Sequence, residues 1–306
     1  MPKKKKSDIE VEKIKNRVKA MVKERPSHKE VLEFYKDLVT EQYSALSKIK
    51  TTSIEIDKDD AKVKIMQGFP LVEKKALTLD IPSATRLFKR LCKLMSQNKK
   101  GSRDVERITQ ALKNKEIDLM ELFKQTDSNN DEYVTALSKK LQVKEDVLVF
   151  LARNSIKPIY EAYAKEMKDY VDQEKWWKGY CPICGSEPYI AEIKNEGGAG
   201  GAEGARFLVC SSCSFEWRFN RLKCPFCENE NHERLRYFYT EKEGRVYRVD
   251  VCEECKRYIK TVDIKELGEE KIIPLLEDIG TLHLDILAQK EGYTKEKKAS
   301  GLTTNA

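Results

Sequence analysis

Residues 181–255 hold four copies of one two-cysteine pattern: Cys181-Pro-Ile-Cys184, Cys210-Ser-Ser-Cys213, Cys224-Pro-Phe-Cys227 and Cys252-Glu-Glu-Cys255. Eight of the nine cysteines of the 306-residue chain lie in these four pairs. Two residues between cysteines let both sulfurs face one metal ion, and two such pairs complete a tetrahedron. The spacing predicts two metal sites, each with four cysteine ligands. We expect neighbouring pairs to share a site, rather than an interleaved arrangement, because each hairpin then closes its own site.

Runs rich in aromatic and β-branched residues separate the cysteine pairs, which is typical of short strands. The gaps between paired motifs are nearly equal, at residues 185–209 and 228–251. This internal repeat predicts tandem rubredoxin-like or zinc-ribbon subdomains at residues 176–222 and 223–266. The predicted strands are 189–193, 206–209, 215–222, 235–240, 246–251 and 258–264.

Four thiolates saturate a tetrahedral metal ion and leave no position for water or substrate. This donor set is typical of structural zinc or of electron-transfer iron, and the spacing leaves the choice between zinc and iron open. The chain has three histidines, His28, His232 and His283, and none lies near a plausible nucleophile. We therefore expect a protein that is not an enzyme, with no catalytic residues.

The flanking sequence has a helical period. Apolar residues recur at three- and four-residue spacing through residues 1–175, which predicts a bundle of six or seven helices with an irregular connection at 51–72. Residues 1–25 hold ten Lys or Arg and four Asp or Glu, which we interpret as a solvated basic arm. We expect residues 267–293 to form a helix that packs on the bundle, and 294–306 a flexible tail. The predicted fold class is α+β.

The charge pattern bears on nucleic acid as a partner. Aromatic and basic side chains alternate at the end of the first predicted ribbon, which is a combination that a nucleic-acid surface uses. They are Phe215, Trp217 and Phe219, with Arg218 and Arg221. Residues 176–264, however, hold fourteen acidic and fourteen basic side chains. Two four-cysteine centres with divalent ions would add about four negative charges, and a phosphate-binding surface needs the opposite sign. Nucleic-acid binding by a zinc ribbon is therefore the alternative function and not the favoured one.

Export and membrane insertion are not expected. The apolar stretch of a signal peptide does not follow the first lysines, and no run approaches the roughly 18 apolar residues of a spanning helix. Cysteines in a cytoplasmic protein ligate metals more often than they form disulfides. We expect a cytoplasmic protein with reduced thiolates.

Four segments resemble the FdhE family of formate dehydrogenase accessory proteins. They are Trp177–Pro188, Arg206–Cys227, Val251–Lys260 and Leu284–Tyr293. The second segment contains the sequence Glu-Trp, and the third has Tyr-x-Lys after the fourth cysteine pair. The order of the four motifs and their flanking residues both agree with the family.

The resemblance implies a cytoplasmic maturation protein, or chaperone, that binds the catalytic subunit of formate dehydrogenase and forms a dimer. It also implies rubredoxin-like iron sites on the eight paired cysteines. We take Phe215, Trp217 and Arg221 as candidate partner contacts, with a core position in the first ribbon as the alternative for Trp217. Rubredoxin-like electron transfer is a third hypothesis for the function.

Overall fold

A computed structural model describes residues 6–52, 54, 56–97, 102–195, 204–267 and 272–295. The chain divides into two compact units. The first consists of residues 1–171 together with 183–185 and 212–215, and the second contains the rest.

The first unit is helical, and the described part of the chain forms eight α-helices in it. They are α1 (Lys6–Glu24), α2 (Lys29–Leu46), α3 (Lys58–Gln67), α4 (Ile81–Ser96), α5 (Ser102–Lys113), α6 (Leu119–Asp127), α7 (Asp131–Leu141) and α8 (Glu145–Met167). The long helix α8 contacts α2, α4, α6 and α7 and so forms the centre of the bundle. Phe88 of α4 and Phe123 of α6 are fully buried and meet edge to face, with ring centroids 6.0 Å apart.

Most of the predicted basic arm is an ordered helix, which corrects the expectation of a solvated end. Helix α1 packs on α2 and buries Ile14, Val18 and Met21. These residues recur at a spacing of four and three, so they form one apolar stripe within a charged segment. Counting charges alone hides this stripe. Residues 1–5 lie outside the described residues.

The predicted irregular connection at 51–72 contains helix α3, which the sequence analysis missed. Asp57 caps α3 by accepting hydrogen bonds from the N–H groups of Asp59 and Asp60, at 2.8 and 3.0 Å. Gly68 ends the helix in the left-handed conformation, with φ of 79°. Only Ala61 and Ile65 of α3 are buried, so its apolar period is too short to indicate a helix from sequence.

The second unit contains a six-stranded sheet. Its strands are β1 (Pro188–Lys194), β2 (Ala205–Cys210), β3 (Glu216–Phe219), β4 (Leu235–Phe238), β5 (Tyr247–Cys252) and β6 (Tyr258–Asp263). All six lie where the sequence predicts strands. The order across the sheet is β3-β2-β1-β6-β5-β4.

The two predicted ribbons share this one sheet. Each ribbon is an antiparallel three-stranded meander, and the two meanders join through a parallel pair in which Ile190 of β1 lies opposite Lys260 of β6. The two copies are therefore arranged head to tail: the last strand of the second ribbon pairs with the first strand of the first.

Three helices follow the sheet: α9 (Ile264–Leu267), α10 (Pro274–Gly280) and α11 (Leu282–Lys290). Leu284 and Ala288 of α11 are fully buried in a core cluster with Ile190, Val249 and Tyr258 of the sheet. The expected single helix packed on the bundle is thus wrong in two respects, since the segment is split and its apolar face packs on the sheet. An apolar stripe shows that a face is buried but does not show against what.

A buried ion-pair cluster holds these helices to β6. Lys260 is 2% exposed, and its Nζ lies 2.5 Å from Asp285 Oδ2 and 2.8 Å from Asp278 Oδ1. Lys295, within the predicted tail, lies 2.9 Å from the same oxygen of Asp278. The predicted tail therefore begins as an anchored segment, and residues 296–306 lie outside the described residues. Among the described helices, none is long and apolar enough to span a bilayer.

Candidate metal centres

The eight paired cysteines come together in two groups of four. The first centre consists of Cys181, Cys184, Cys210 and Cys213, and the second of Cys224, Cys227, Cys252 and Cys255. Within each group all four sulfurs lie within 4.8 Å of one another. The grouping is that of neighbouring pairs, as the spacing predicts.

The distances between sulfurs match a tetrahedral metal ion and not a disulfide. Cys184 Sγ and Cys213 Sγ are 3.7 Å apart in the first centre. The second centre has distances of 3.8 Å between Cys224 and Cys255 and 3.7 Å between Cys227 and Cys252. Four thiolates at about 2.3 Å from a central ion have sulfur–sulfur edges of about 3.8 Å. A disulfide would bring two sulfurs to about 2.05 Å. Each group of cysteines could therefore hold a metal ion.

The backbone turns in the same way at all four Cys-x-x-Cys pairs, which we call the first to fourth knuckles in chain order. The residue that follows the second cysteine of each pair adopts the left-handed conformation: Gly185, Ser214, Glu228 and Lys256, with φ between 55° and 72°. This turn lets the chain reverse while both sulfurs stay on one side. The sequence predicts the conformation at Gly185 but gives no sign of it at the other three, because Ser, Glu and Lys rarely adopt it.

Hydrogen bonds to sulfur favour the thiolate in the second centre. The N–H of Phe226 donates to Cys224 Sγ at 3.4 Å, and Asn229 Nδ2 donates to Cys252 Sγ at 3.8 Å. The bond from Cys255, together with backbone N–H donors, lowers the pKa of Cys224 to about 5. Burial instead raises the pKa of Cys227 to about 11. Within the third Cys-x-x-Cys pair, this environment therefore favours the thiolate of Cys224 over that of Cys227.

The two centres differ in exposure. All four cysteines of the first centre are buried, whereas Cys227 is exposed and Cys255 half-buried in the second. Solvent, oxidants and chelators therefore have more direct access to the second centre.

Hydrogen bonds hold the loops of the first centre that belong to the helical unit. The N–H of Val72 donates to the carbonyl of Ile183 at 3.0 Å. Ser214 Oγ donates to Glu161 Oε1 of α8 at 2.8 Å. These bonds fix the two loops from which Cys184 and Cys213 present their sulfurs.

Gly179 is a supporting residue that the sequence analysis missed. A Cβ at this position would lie 1.8 Å from the carbonyl oxygen of Pro225, in the third knuckle. The segment before the first knuckle thus packs directly on the backbone between Cys224 and Cys227. The sequence shows the glycine at this position, but it does not show that the backbone of Pro225 packs against it.

The three predicted partner contacts lie in different environments. Trp217 is fully buried in β3, and its Nε1 donates to the carbonyl of Lys178 at 2.9 Å. It occupies the core position given above as its alternative. Phe215 is half-buried, while Arg221 is exposed and donates to the carbonyl of Gly204 at 3.1 Å.

The fold and the site together define a class: an α+β protein with a helical bundle, two rubredoxin-like ribbons that share one sheet, and two groups of four cysteines. A metal ion bound by four cysteines would have no position left for a water molecule or a substrate.

Comparison with known proteins finds similarity to FdhE proteins. The family model described as FdhE, central domain, matches residues 180–221, and the one described as FdhE, C-terminal domain, matches residues 222–301. A protein FdhE homolog of Aquifex aeolicus is 28% identical over 285 residues, which cover 92% of this chain and 92% of that protein. Protein FdhE of Escherichia coli strain SE11 is 30% identical over 131 residues, covering 43% of this chain and 38% of that protein.

The crystal structure of the FdhE protein from Pseudomonas aeruginosa has the same fold. The superposition covers 93% of this chain and 92% of the Pseudomonas aeruginosa chain, with a TM-score of 0.62 and 18% sequence identity. The two family models together match residues 180–301, and the similarity to an FdhE homolog extends over most of the chain.

Proposed function

We propose that this protein is a cytoplasmic accessory protein that binds the catalytic subunit of formate dehydrogenase during its maturation. The resemblance to FdhE proteins implies an accessory protein rather than an enzyme, and four-cysteine centres agree with a role that needs no open metal position. The observation that carries the proposal is the pair of four-cysteine clusters within the segments that match the FdhE family models.

The eight clustered cysteines would hold two metal ions per chain, iron or zinc. A bound ion would supply a rigid cross-link between two knuckles and, as iron, one-electron chemistry. The chain's own contribution is to fix the sulfurs with left-handed turns and to donate N–H groups to them. The sheet then presents a stiff surface on which a partner can dock.

Placement of the side chains narrows the docking hypothesis. Trp217 is fully buried and cannot contact a partner in this fold, so its role is to fill the core of the first ribbon. Phe215 and Arg221 stay as proposed contacts, and a homodimer stays part of the proposal.

The test is an anaerobic pull-down from the native host with the tagged protein, treated with nuclease and analysed by mass spectrometry. We expect recovery of a formate dehydrogenase catalytic subunit with the wild-type chain and with Cys92→Ala, which alters a cysteine outside both centres. Absence of that subunit from both samples would contradict the proposal. Partners that disappear only on nuclease treatment would favour nucleic-acid binding.

Exposure of Cys227 favours rubredoxin-like electron transfer as a second candidate function, because an electron partner can approach the second centre closely. It requires iron, with visible absorption that a reductant bleaches. A colourless protein that contains zinc would contradict it.

A further inference from the structure

A cationic cavity of about 200 Å³ lies beside the second centre, wholly within the sheet unit. The third knuckle forms one side of it, and β2, β4, β5 and β6 contribute the rest. Its charged lining residues are Arg206, Arg221, Lys223, Arg236, Arg248, Arg257 and, as the single carboxylate, Asp250. The volume is several times the roughly 30 Å³ of one water molecule, so a small ligand fits.

Arg206 is the buried member of this group. Its side chain is 3% exposed, and its Nη1 donates to the carbonyl of Lys223 at 3.3 Å. Its Nη2 lies 3.5 Å from Asp250 Oδ2, but neither Nε nor Nη2 makes a hydrogen bond with any residue that the structure describes. A guanidinium has five N–H donors, and a buried charge with unmet donors is costly unless an anion pairs with it.

The carboxylate in the cavity is already shared. Asp250 Oδ1 lies 2.9 Å from Arg248 Nε, and its Oδ2 accepts a hydrogen bond from Thr261 at 2.6 Å. Arg206 and Arg248 therefore have one carboxylate between them. Neither has a second carboxylate within 4 Å in the described part of the chain.

Two of the other cations have partners of their own. Arg257 makes a bidentate pair with Glu187, at 2.9 and 2.7 Å. Lys223 lies 3.2 and 3.3 Å from Glu228 and Glu230.

The rim cations leave a positive excess. Arg221 and Arg236 are exposed at the mouth, and within the described residues neither has a carboxylate within 4 Å. Cys224 and Cys252 also line the cavity, and a centre with a divalent ion would carry about two negative charges. The cavity then has four arginine charges without another partner, against one charge of Asp250 and about two of the metal centre. About one positive charge is left over. In the described hydrogen bonds, no guanidinium of the cavity donates to a cysteine sulfur.

Apolar and aromatic groups form the rest of the wall. The guanidinium of Arg257 lies over the ring of Phe226, with 3.7 Å between Cζ and the ring centroid. The guanidinium of Arg248 lies over the ring of Tyr237, at 5.0 Å. Leu222 and Ile259 complete the apolar side. A ligand that carries an organic group next to its anion would contact these side chains.

We propose that this cavity binds the phosphate group of a small phosphorylated ligand, with Arg206 as the buried anchor and Arg221 and Arg236 at the mouth. Guanidinium groups that converge from several directions suit a tetrahedral dianion, which can accept more of their hydrogen bonds than a planar carboxylate. Free inorganic phosphate and a phosphate monoester share this chemistry. The apolar wall favours the monoester.

The test is calorimetric titration of the metal-loaded full chain at low ionic strength, with inorganic phosphate, phenyl phosphate and acetate as probes. We expect one phosphate site per chain, tighter binding of phenyl phosphate, and acetate weaker by about tenfold or more. Equal affinities for the first two probes would identify free phosphate as the ligand type. The titration needs no partner protein, so its result is independent of the proposed function.

Variants locate the site. Arg206→Gln should weaken phosphate binding by about tenfold or more, because a hydrogen-bonded charge pair is lost. Arg221→Gln, at the exposed mouth, should weaken it several-fold and serves if the buried variant does not retain its metal. Arg245→Gln removes the same charge from an exposed position outside the cavity and should leave the affinity unchanged. Absence of saturable binding, or equal weakening in all three variants, would overturn the proposal.

Discussion

At the scale of single residues, the metal centres depend on positions that the cysteine motif does not reveal. The spacing of the cysteines predicts their grouping, since two residues between sulfurs fix their geometry. The left-handed turns at Ser214, Glu228 and Lys256 could not be predicted, because those residue types do not favour that conformation. They adopt it because the metal-binding knuckle requires it, so tertiary structure overrides local preference.

Lys256→Gly should stabilise the folded protein by about 1 kcal/mol, because a left-handed lysine is strained and glycine is not. Urea unfolding of the metal-loaded protein at a fixed free-metal concentration measures the change. The control is Glu254→Gly in the same knuckle, whose φ is not positive, and which should lose stability. If the Lys256 variant also lost stability, the account of the turn would be wrong.

Glu192 predicts a pH dependence. It is buried in β1, and burial together with the nearby charge of Glu216 raises the pKa of Glu192 to about 7, against the opposing effect of Lys194. The folded state therefore binds a proton that the unfolded chain has lost. This contribution is fully present below pH 4.5 and disappears as the pH rises through about 7.

Between pH 6 and 8 the wild-type protein should lose about 1 kcal/mol of stability that Glu192→Gln does not lose. Unfolding free energies of both proteins at each pH give the difference, in which effects of pH on the metal centres cancel. Glu233→Gln removes a charge from an exposed position and should follow the wild type. Parallel curves for the wild type and the Glu192 variant would show that this carboxyl group does not titrate in the window.

At the scale of elements, strands were predictable and their long-range partners were not. The alternation of aromatic and β-branched residues places all six strands, but nothing local indicates that β1 pairs in parallel with β6. The same limit explains α11, whose apolar face is evident while its contact with the sheet is not. Helix α1 shows the converse, because its apolar stripe was present in the sequence and its charges concealed it.

Gly179 allows the segment before the first knuckle to pack on the backbone of the third knuckle. Gly179→Ala should destabilise the protein by about 3 kcal/mol, because the new methyl group would overlap the carbonyl of Pro225. Since Pro225 lies between Cys224 and Cys227, the second centre should also lose its metal more readily to a chelator. Thermal unfolding and metal release measure the two effects.

Gly244→Ala separates this clash from loss of backbone freedom. Gly244 has a φ of 55°, but no atom of the described residues lies within 4 Å of its Cβ position, so the cost should be about 1 kcal/mol without metal loss. Equal effects of the two substitutions would contradict the proposed contact.

At the scale of the whole molecule, the family resemblance and the tandem ribbons indicated the α+β architecture that the structure has. Both ribbons share a single continuous sheet, and the cysteines of the first centre are buried while those of the second are partly exposed. Both the fold and the proposed function therefore depend on two separately closed four-cysteine sites.

Metal analysis of anaerobically purified protein tests that dependence most directly. We predict two metal ions per wild-type chain, one in Cys210→Ser and one in Cys252→Ser, and two in Cys92→Ala, whose cysteine lies in the helical core. Visible absorption of the same samples distinguishes iron from zinc. A wild-type chain without bound metal, or two ions in either cluster variant, would contradict the account.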